Sequence, residues 1–140
     1  MYISSKPSVY CIDGSNLVRS FWSGHFSKDD KDTADFLDFL ETAAQSQALC
    51  RSYFRVVFDG GYRPCGSLER GKVKVSFSEG AVADDMLLET AIYLKGANKR
   101  PVLVTSDGGL AENAKAQGVK TMHCPAFLSL CRRSAAMDSR

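Results

Sequence analysis

An α/β fold built on a mainly parallel sheet is what this sequence predicts, on three observations. Val9-Tyr10-Cys11-Ile12, Val56-Val57-Phe58 and Val102-Leu103-Val104 are nearly continuous apolar runs, the pattern of strands covered on both faces. Val73, Val75 and Phe77 alternate with Lys74 and Ser76, and Val119 and Thr121 with Lys120 and Met122, as suits strands at sheet edges. Helical stretches separate most of these strands, which requires right-handed crossovers between parallel neighbours. Three central and two edge strands fit a five-stranded sheet of order 3-2-1-4-5.

Each element has a local reason. The first strand, near Val9–Ile12, ends in Asp13-Gly14-Ser15-Asn16, a turn-like sequence. A helix over Thr33–Cys50 places Phe36, Leu37, Leu40, Ala43, Ala44 and Gln47 at helical spacing, with Asp30, Asp32 and Asp35 near its positive end. The second strand ends in Asp59-Gly60-Gly61, and a loop leads to the third. Ala81–Leu94 is helical and stops near Gly96, as a glycine after the last periodic residue suggests. After the fourth strand, Leu110–Gln117 forms a helix ended by Gly118. A last helix begins after Pro125 with Phe127, Leu128, Leu130 and Cys131.

Composition narrows the classes. The 140 residues suit one domain, and 44% hydrophobic with 24% charged residues supply a packed core rather than a disordered chain. The ordered core is expected over about residues 8–131, with a flexible C-terminal end from Arg132 to Arg140. No apolar stretch approaches the ~20 residues of a spanning helix, and the first seven residues lack a signal-peptide core. A cytoplasmic location without membrane attachment is therefore expected. Five scattered cysteines without a CxxC pair make a disulfide framework or zinc site improbable.

The chemistry lies at the strand ends. In parallel sheets ligands bind beyond the carboxyl ends of the strands, where the winding reverses. All three central strands end in an aspartate: Asp13, Asp59 and Asp107. Asp84 and Asp85 open the helix after the third strand, their side chains about 100° apart. Five like charges on one rim cost roughly 1 kcal/mol per close pair even at water-like screening. A hard divalent cation offsets that cost, because Mg²⁺ and Mn²⁺ choose carboxylate oxygens. Asn16 has two candidate roles, orienting Asp13 or the substrate and capping the next segment. His25 and His123 are placed away from the rim. A phosphatase of the type with two aspartates after strand one would need an acid where Ser15 stands, and a receiver domain would need an acid pair at Asp13.

Ile12-Asp13-Gly14-Ser15-Asn16, Val56-Val57-Phe58-Asp59-Gly60, Ser76-Phe77-Ser78 followed by Ala83-Asp84-Asp85, and Val104-Thr105-Ser106-Asp107 resemble, in order and spacing, the blocks of the NYN domain. The chain is similar to the bacterial YacP-like branch of these PIN-like ribonucleases from about Val9 to Leu130. The resemblance implies a three-layer α/β/α sandwich in a single NYN/PIN-like domain over 1–140. It implies an endoribonuclease that hydrolyses RNA phosphodiesters with Mg²⁺ or Mn²⁺. By position, Asp13, Asp84, Asp85 and Asp107 match the family's metal-binding acids, Asn16 its amide and Asp59 the acid after the second strand. A chain of this size leaves little room for a separate RNA-binding domain, so the choice among mRNA, tRNA and rRNA is expected to depend on a partner such as the ribosome.

Between Arg51 and Lys74 basic residues far outnumber acids, which makes Arg63, Arg70 and Lys72 candidates for RNA contacts beside the rim, the other reading being a solvated charge run. Tyr62 and Trp22 are candidates for stacking on unpaired bases. The formal net charge of +2 combines 18 basic and 16 acidic residues; with the five rim acids set aside, 11 acids remain and the balance is +7. The alternative is a PIN-like module, without catalysis, that binds RNA or a ribosomal partner. The sequence leaves monomer and homodimer open.

Overall fold

The computed structural model describes residues 6–22 and 30–138, so His25 lies outside the described residues. In chain order the elements are β1 (Ser8–Asp13), α1 (Gly14–Phe21), α2 (Asp30–Ala44), a 3₁₀ turn (Gln47–Leu49), β2 (Ser52–Phe58), β3 (Glu69–Arg70), β4 (Val73–Phe77), α3 (Ala83–Gly96), β5 (Arg100–Val104), α4 (Gly108–Ala116), β6 (Lys120–Met122) and α5 (Cys124–Asp138).

The continuous apolar runs form the middle of the sheet. β1 pairs in parallel with β2 on one side and β5 on the other; β4 extends the sheet beyond β2, and β6 extends it beyond β5. The sheet has six strands in the order β3-β4-β2-β1-β5-β6. Without β3 this is the expected order. β3 is a two-residue strand antiparallel to the edge of β4, too short to leave a periodic signal in the sequence.

Helices cover both faces, giving three layers. Successive residues of β1 serve opposite cores: Ile12 packs with Leu17, Phe36, Leu40, Phe54, Phe58 and Phe127 under α1, α2 and α5, and Cys11 packs with Leu87, Leu94, Leu103 and Leu110 under α3 and α4. In the first core Tyr10, Phe54 and Phe127 meet with ring centroids 5.1–5.6 Å apart. The five cysteines are free thiols, and burial pushes Cys11 and Cys131 up to about 12.

Three local outcomes differ from the sequence expectations, the first being that α2 ends at Ala44 rather than Cys50, with a separate 3₁₀ turn at Gln47–Leu49. The segment after Asp13 is helix α1 rather than an open turn. α5 runs to Asp138, past the expected end of the ordered core, because Ser134 is buried and the Arg132 guanidinium lies 6.0 Å from the ring centres of Phe21 and Phe39.

Candidate active site

Parallel pairing brings the ends of β1, β2, β4 and β5 to one edge. Asp13 is the last residue of β1 and the N-cap of α1; Asp107 follows β5 and is the N-cap of α4. Asp84 and Asp85 lie in the first turn of α3. The rim thus receives three helix N-termini, whose partial positive charge offsets part of the repulsion among the carboxylates.

Asp13 is 4% exposed and its carboxylate accepts three hydrogen bonds. Its Oδ1 accepts from the Asn16 backbone N–H at 3.3 Å, and its Oδ2 accepts from Asn16 Nδ2 at 2.8 Å and Thr105 Oγ1 at 3.0 Å. Asn16 therefore orients Asp13, and the cap of α1 is Asp13 itself. Burial raises the Asp13 carboxyl above its ordinary range, these hydrogen bonds oppose the rise, and nearby Asp107 adds to it.

Thr105 couples two strand ends. Its hydroxyl donates to Asp13 and accepts from the Asp107 N–H at 3.1 Å, and Asp107 Oδ1 in turn accepts from the Leu110 N–H at 3.0 Å. Two serines do the same for Asp59. Ser15 Oγ accepts from the Asp59 N–H at 3.0 Å; Ser78 Oγ accepts from the Gly60 N–H at 3.0 Å and donates to Asp59 Oδ1 at 3.3 Å. Gly60 has φ +98°, where a side chain would be strained, and its carbonyl accepts from the Glu79 N–H at 2.7 Å. Thr105, Ser15 and Ser78 are given no site role in the sequence reading. Their signal was a polar residue next to a strand end that already held an acid, in Thr105-Ser106-Asp107 and Phe77-Ser78.

The five carboxylates share one electrostatic environment. The half-buried Asp84 carboxyl is raised first by burial and then by the negative charges of Asp13, Asp107, Asp59 and Asp85. The raised value prevails although Asp84 stands in the first turn of α3, where the dipole favours its charge. Among the described residues no three Asp, Glu, His or Cys side chains stand close enough together to hold a metal ion between them. The donor chemistry nonetheless fits Mg²⁺ or Mn²⁺: it is oxygen only, and Mg²⁺ keeps several waters while taking one or two carboxylates directly.

The basic residues divide. Arg63 lies at the rim, its guanidinium 5.7 Å from the ring centres of both Phe58 and Phe77, with Nε buried and unpartnered. Tyr62, 57% exposed, stands edge-on to Phe77. Arg70 and Lys72 are not beside the rim. Arg70 pairs with Val73, the first residue of β4, whereas the rim lies beyond Phe77, the last, roughly 13 Å away at ~3.3 Å per residue. The crossover that makes β2 and β4 parallel returns the chain to the other end of the sheet before β4 begins.

Arg70 is held there. Its side chain is 9% exposed, with Nη1 on Asp38 at 2.6 Å, Nε donating to the Ser67 carbonyl at 2.9 Å and Nη2 to that of Cys65 at 3.0 Å. Lys72 Nζ donates to the carbonyls of Ala44 and Leu49, closing the end of α2. Arg70→Ala is therefore expected to cost stability, about 1–3 kcal/mol for charged hydrogen bonds lost, and to lower the melting temperature by ~3–10 °C while leaving RNA affinity within twofold. An unchanged melting temperature with weakened RNA binding would restore Arg70 as a phosphate contact.

Trp22 packs edge-on against Phe21, its Nε1 buried and unpartnered among the described residues. His123 directly follows β6. It is therefore at the same end of the sheet as the acids, two strand spacings or about 10 Å from β1, not away from the rim as expected.

No protein-family model matches the chain, and no curated protein matches it. Solved structures do. Rae1 (YacP) from Bacillus subtilis superposes with a TM-score of 0.71 at 19% identity, covering 94% of this chain and 77% of its own. A point mutant of the same protein gives a TM-score of 0.71 at 19% identity, with 94% and 78% covered. The protein thus has the α/β fold of Rae1 (YacP), the structure toward which its four acidic sequence blocks point.

Proposed function

We propose that the protein is a metal-dependent endoribonuclease that hydrolyses RNA phosphodiester bonds at the acidic rim. One observation carries the reading: the sheet order sets Asp13, Asp59 and Asp107 at the ends of the neighbouring strands β1, β2 and β5, with Asp84 and Asp85 in the first turn of α3. Asp13 and Asp107, with Asp84 or Asp85, would hold Mg²⁺ or Mn²⁺, and Asp59 flanks them. The bound cation would lower the pKa of an attacking water and stabilise charge on the scissile phosphate.

The chain's own residues do the rest. Asn16 and Thr105 fix the Asp13 carboxylate, so no reorganisation is needed as charge develops. Arg63, its guanidinium over the rings of Phe58 and Phe77, offers a positive charge to a phosphate entering the rim, and exposed Tyr62 offers a face to an unpaired base. Among the described residues no helix is long and apolar enough to cross a membrane, and a cytoplasmic site of action on mRNA, tRNA or rRNA, ribosome-bound RNA included, fits this reading.

The decisive assay incubates purified protein with structured and single-stranded RNA in Mn²⁺, Mg²⁺ or EDTA. Cleavage in either metal and its loss in EDTA is the expected result; cleavage that persists in EDTA would sink the mechanism. Arg63→Ala is expected to weaken single-stranded RNA binding several-fold and to reduce the salt slope by roughly 0.7, the share of one phosphate contact. An unchanged slope would remove Arg63 from the RNA path.

A further inference from the structure

We propose a second RNA site on the end of the sheet opposite the acidic rim: a basic track that holds the phosphate backbone of an RNA duplex. Two concavities of about 280 Å³ each open at this end and share Lys99. One runs under β4, β2 and β1, the other under β5 and β6. Eight of their lining residues are Lys or Arg, and none is Asp or Glu.

Sheet order makes the track. Lys74 comes from β4, Arg55 from β2, Arg100 from β5 and Lys120 from β6, with Lys95 and Lys99 from the end of α3 and the turn after it. Adjacent strands are ~4.8 Å apart, so β4 to β6 spans roughly 19 Å, over which a duplex carries on the order of ten phosphates. All six side chains are exposed. Arg55, Lys74, Lys99, Arg100 and Lys120 make no ion pair among the described residues. Arg55 and Lys74 are also direct cross-strand partners, with Glu69 opposite Lys74 on its outer side, so Arg55 is the base of the pair without a facing acid.

The lining points to backbone rather than base contact. Single-strand binders supply aromatic platforms, whereas Tyr53 is the sole aromatic side chain exposed in this track. Arg55 stands four residues before Asp59 and Lys120 is in register with Tyr10, three before Asp13, so track and rim are at least ~10 Å apart along the strands. The duplex held below is thus a different segment from the strand presented to the rim. The choice of RNA as the polyanion rests on the proposed function.

The test reads binding with catalysis silenced. A fluorescent 20-base-pair RNA duplex is titrated in EDTA, between 50 and 200 mM salt, with wild-type protein, the triple reversal Lys99→Glu/Arg100→Glu/Lys120→Glu and the charge-keeping Lys99→Arg/Arg100→Lys/Lys120→Arg. The reversal is expected to bind at least tenfold more weakly with a salt slope shallower by roughly 2–3, at ~0.9 per phosphate contact, and the charge-keeping variant to match wild type. Equal affinity and slope in the reversal, or tighter binding of wild type to anionic phospholipid vesicles than to the duplex, would overturn the proposal. Because EDTA removes the metal, a wild-type protein that never cleaves RNA can still pass this test, and a nuclease can fail it.

Discussion

Asp13→Asn is expected to abolish metal-dependent RNA cleavage, lowering kcat by roughly 10³-fold, because a bound cation supplies several kcal/mol of charge stabilisation and each 1.36 kcal/mol is tenfold in rate. The substitution keeps the shape of the side chain but not its acceptors. Whichever way the new amide turns, its NH₂ meets a donor: the Asn16 N–H on one side, or Asn16 Nδ2 and Thr105 Oγ1 on the other. Single-turnover cleavage in Mn²⁺ measures the loss, and a variant retaining a tenth of wild-type activity would remove Asp13 from the reaction. Asp84→Asn separates charge from fold. Its carboxyl is raised by burial and four neighbouring acids, so neutralising it is expected to raise the melting temperature of metal-free protein by ~1–3 °C and to shrink the further rise produced by Mn²⁺. Lowered stability without metal would mean that the acids do not repel one another.

Phe58→Ala is expected to have the largest effect on stability, about 3–5 kcal/mol, or a fall of ~10–20 °C in melting temperature. Phe58 is 1% exposed, stacked on Phe77 at 5.5 Å and edge-on to Phe36 at 6.5 Å, with Arg63 across its face. It also lies directly beneath the start of α1: a Cβ on Gly14 would stand 2.9 Å from the Phe58 ring and from Val56. The ring of the residue before Asp59 thus seats the residue after Asp13. Activity is accordingly expected to fall even at temperatures where the variant is folded. Gly14→Ala alone should cost about 1–3 kcal/mol by overpacking, and the double variant less than the sum of the two, since the new methyl enters the space that the ring vacates. Strict additivity, measured by urea unfolding, would show that the two sites do not share that space.

How much of this was legible in the sequence follows from the range over which each signal acts. β1, β2 and β5 announce themselves as apolar runs, and the aspartates that end them could be placed on one rim from the parallel topology alone. α1 was missed because it begins inside Asp13-Gly14-Ser15-Asn16, whose residues favour turns and caps over helix interiors. Arg70 and Lys72 are near Asp59 in sequence but not in space, because the chain must cross to the far end of the sheet before a parallel β4 can start. The basic track was invisible for the complementary reason. Its residues come one or two at a time from separate strands and from the end of α3, and only strand order lines them up. The sequence balance of +7 outside the five rim acids was sound, but many of those bases lie opposite the rim rather than beside it.

The hydrogen bond between Thr105 and Asp13 joins residues 92 positions apart. It forms only when β5 docks beside β1, a long-range closure that comes late in folding because its loop entropy must be met first. A growing chain that has displayed Asp13, Asp59, Asp84 and Asp85 still lacks Asp107 and the hydroxyl that fixes Asp13. Under the proposed function the order of synthesis thus acts as a safety catch: the site stays incomplete until Thr105 and Asp107 have been made.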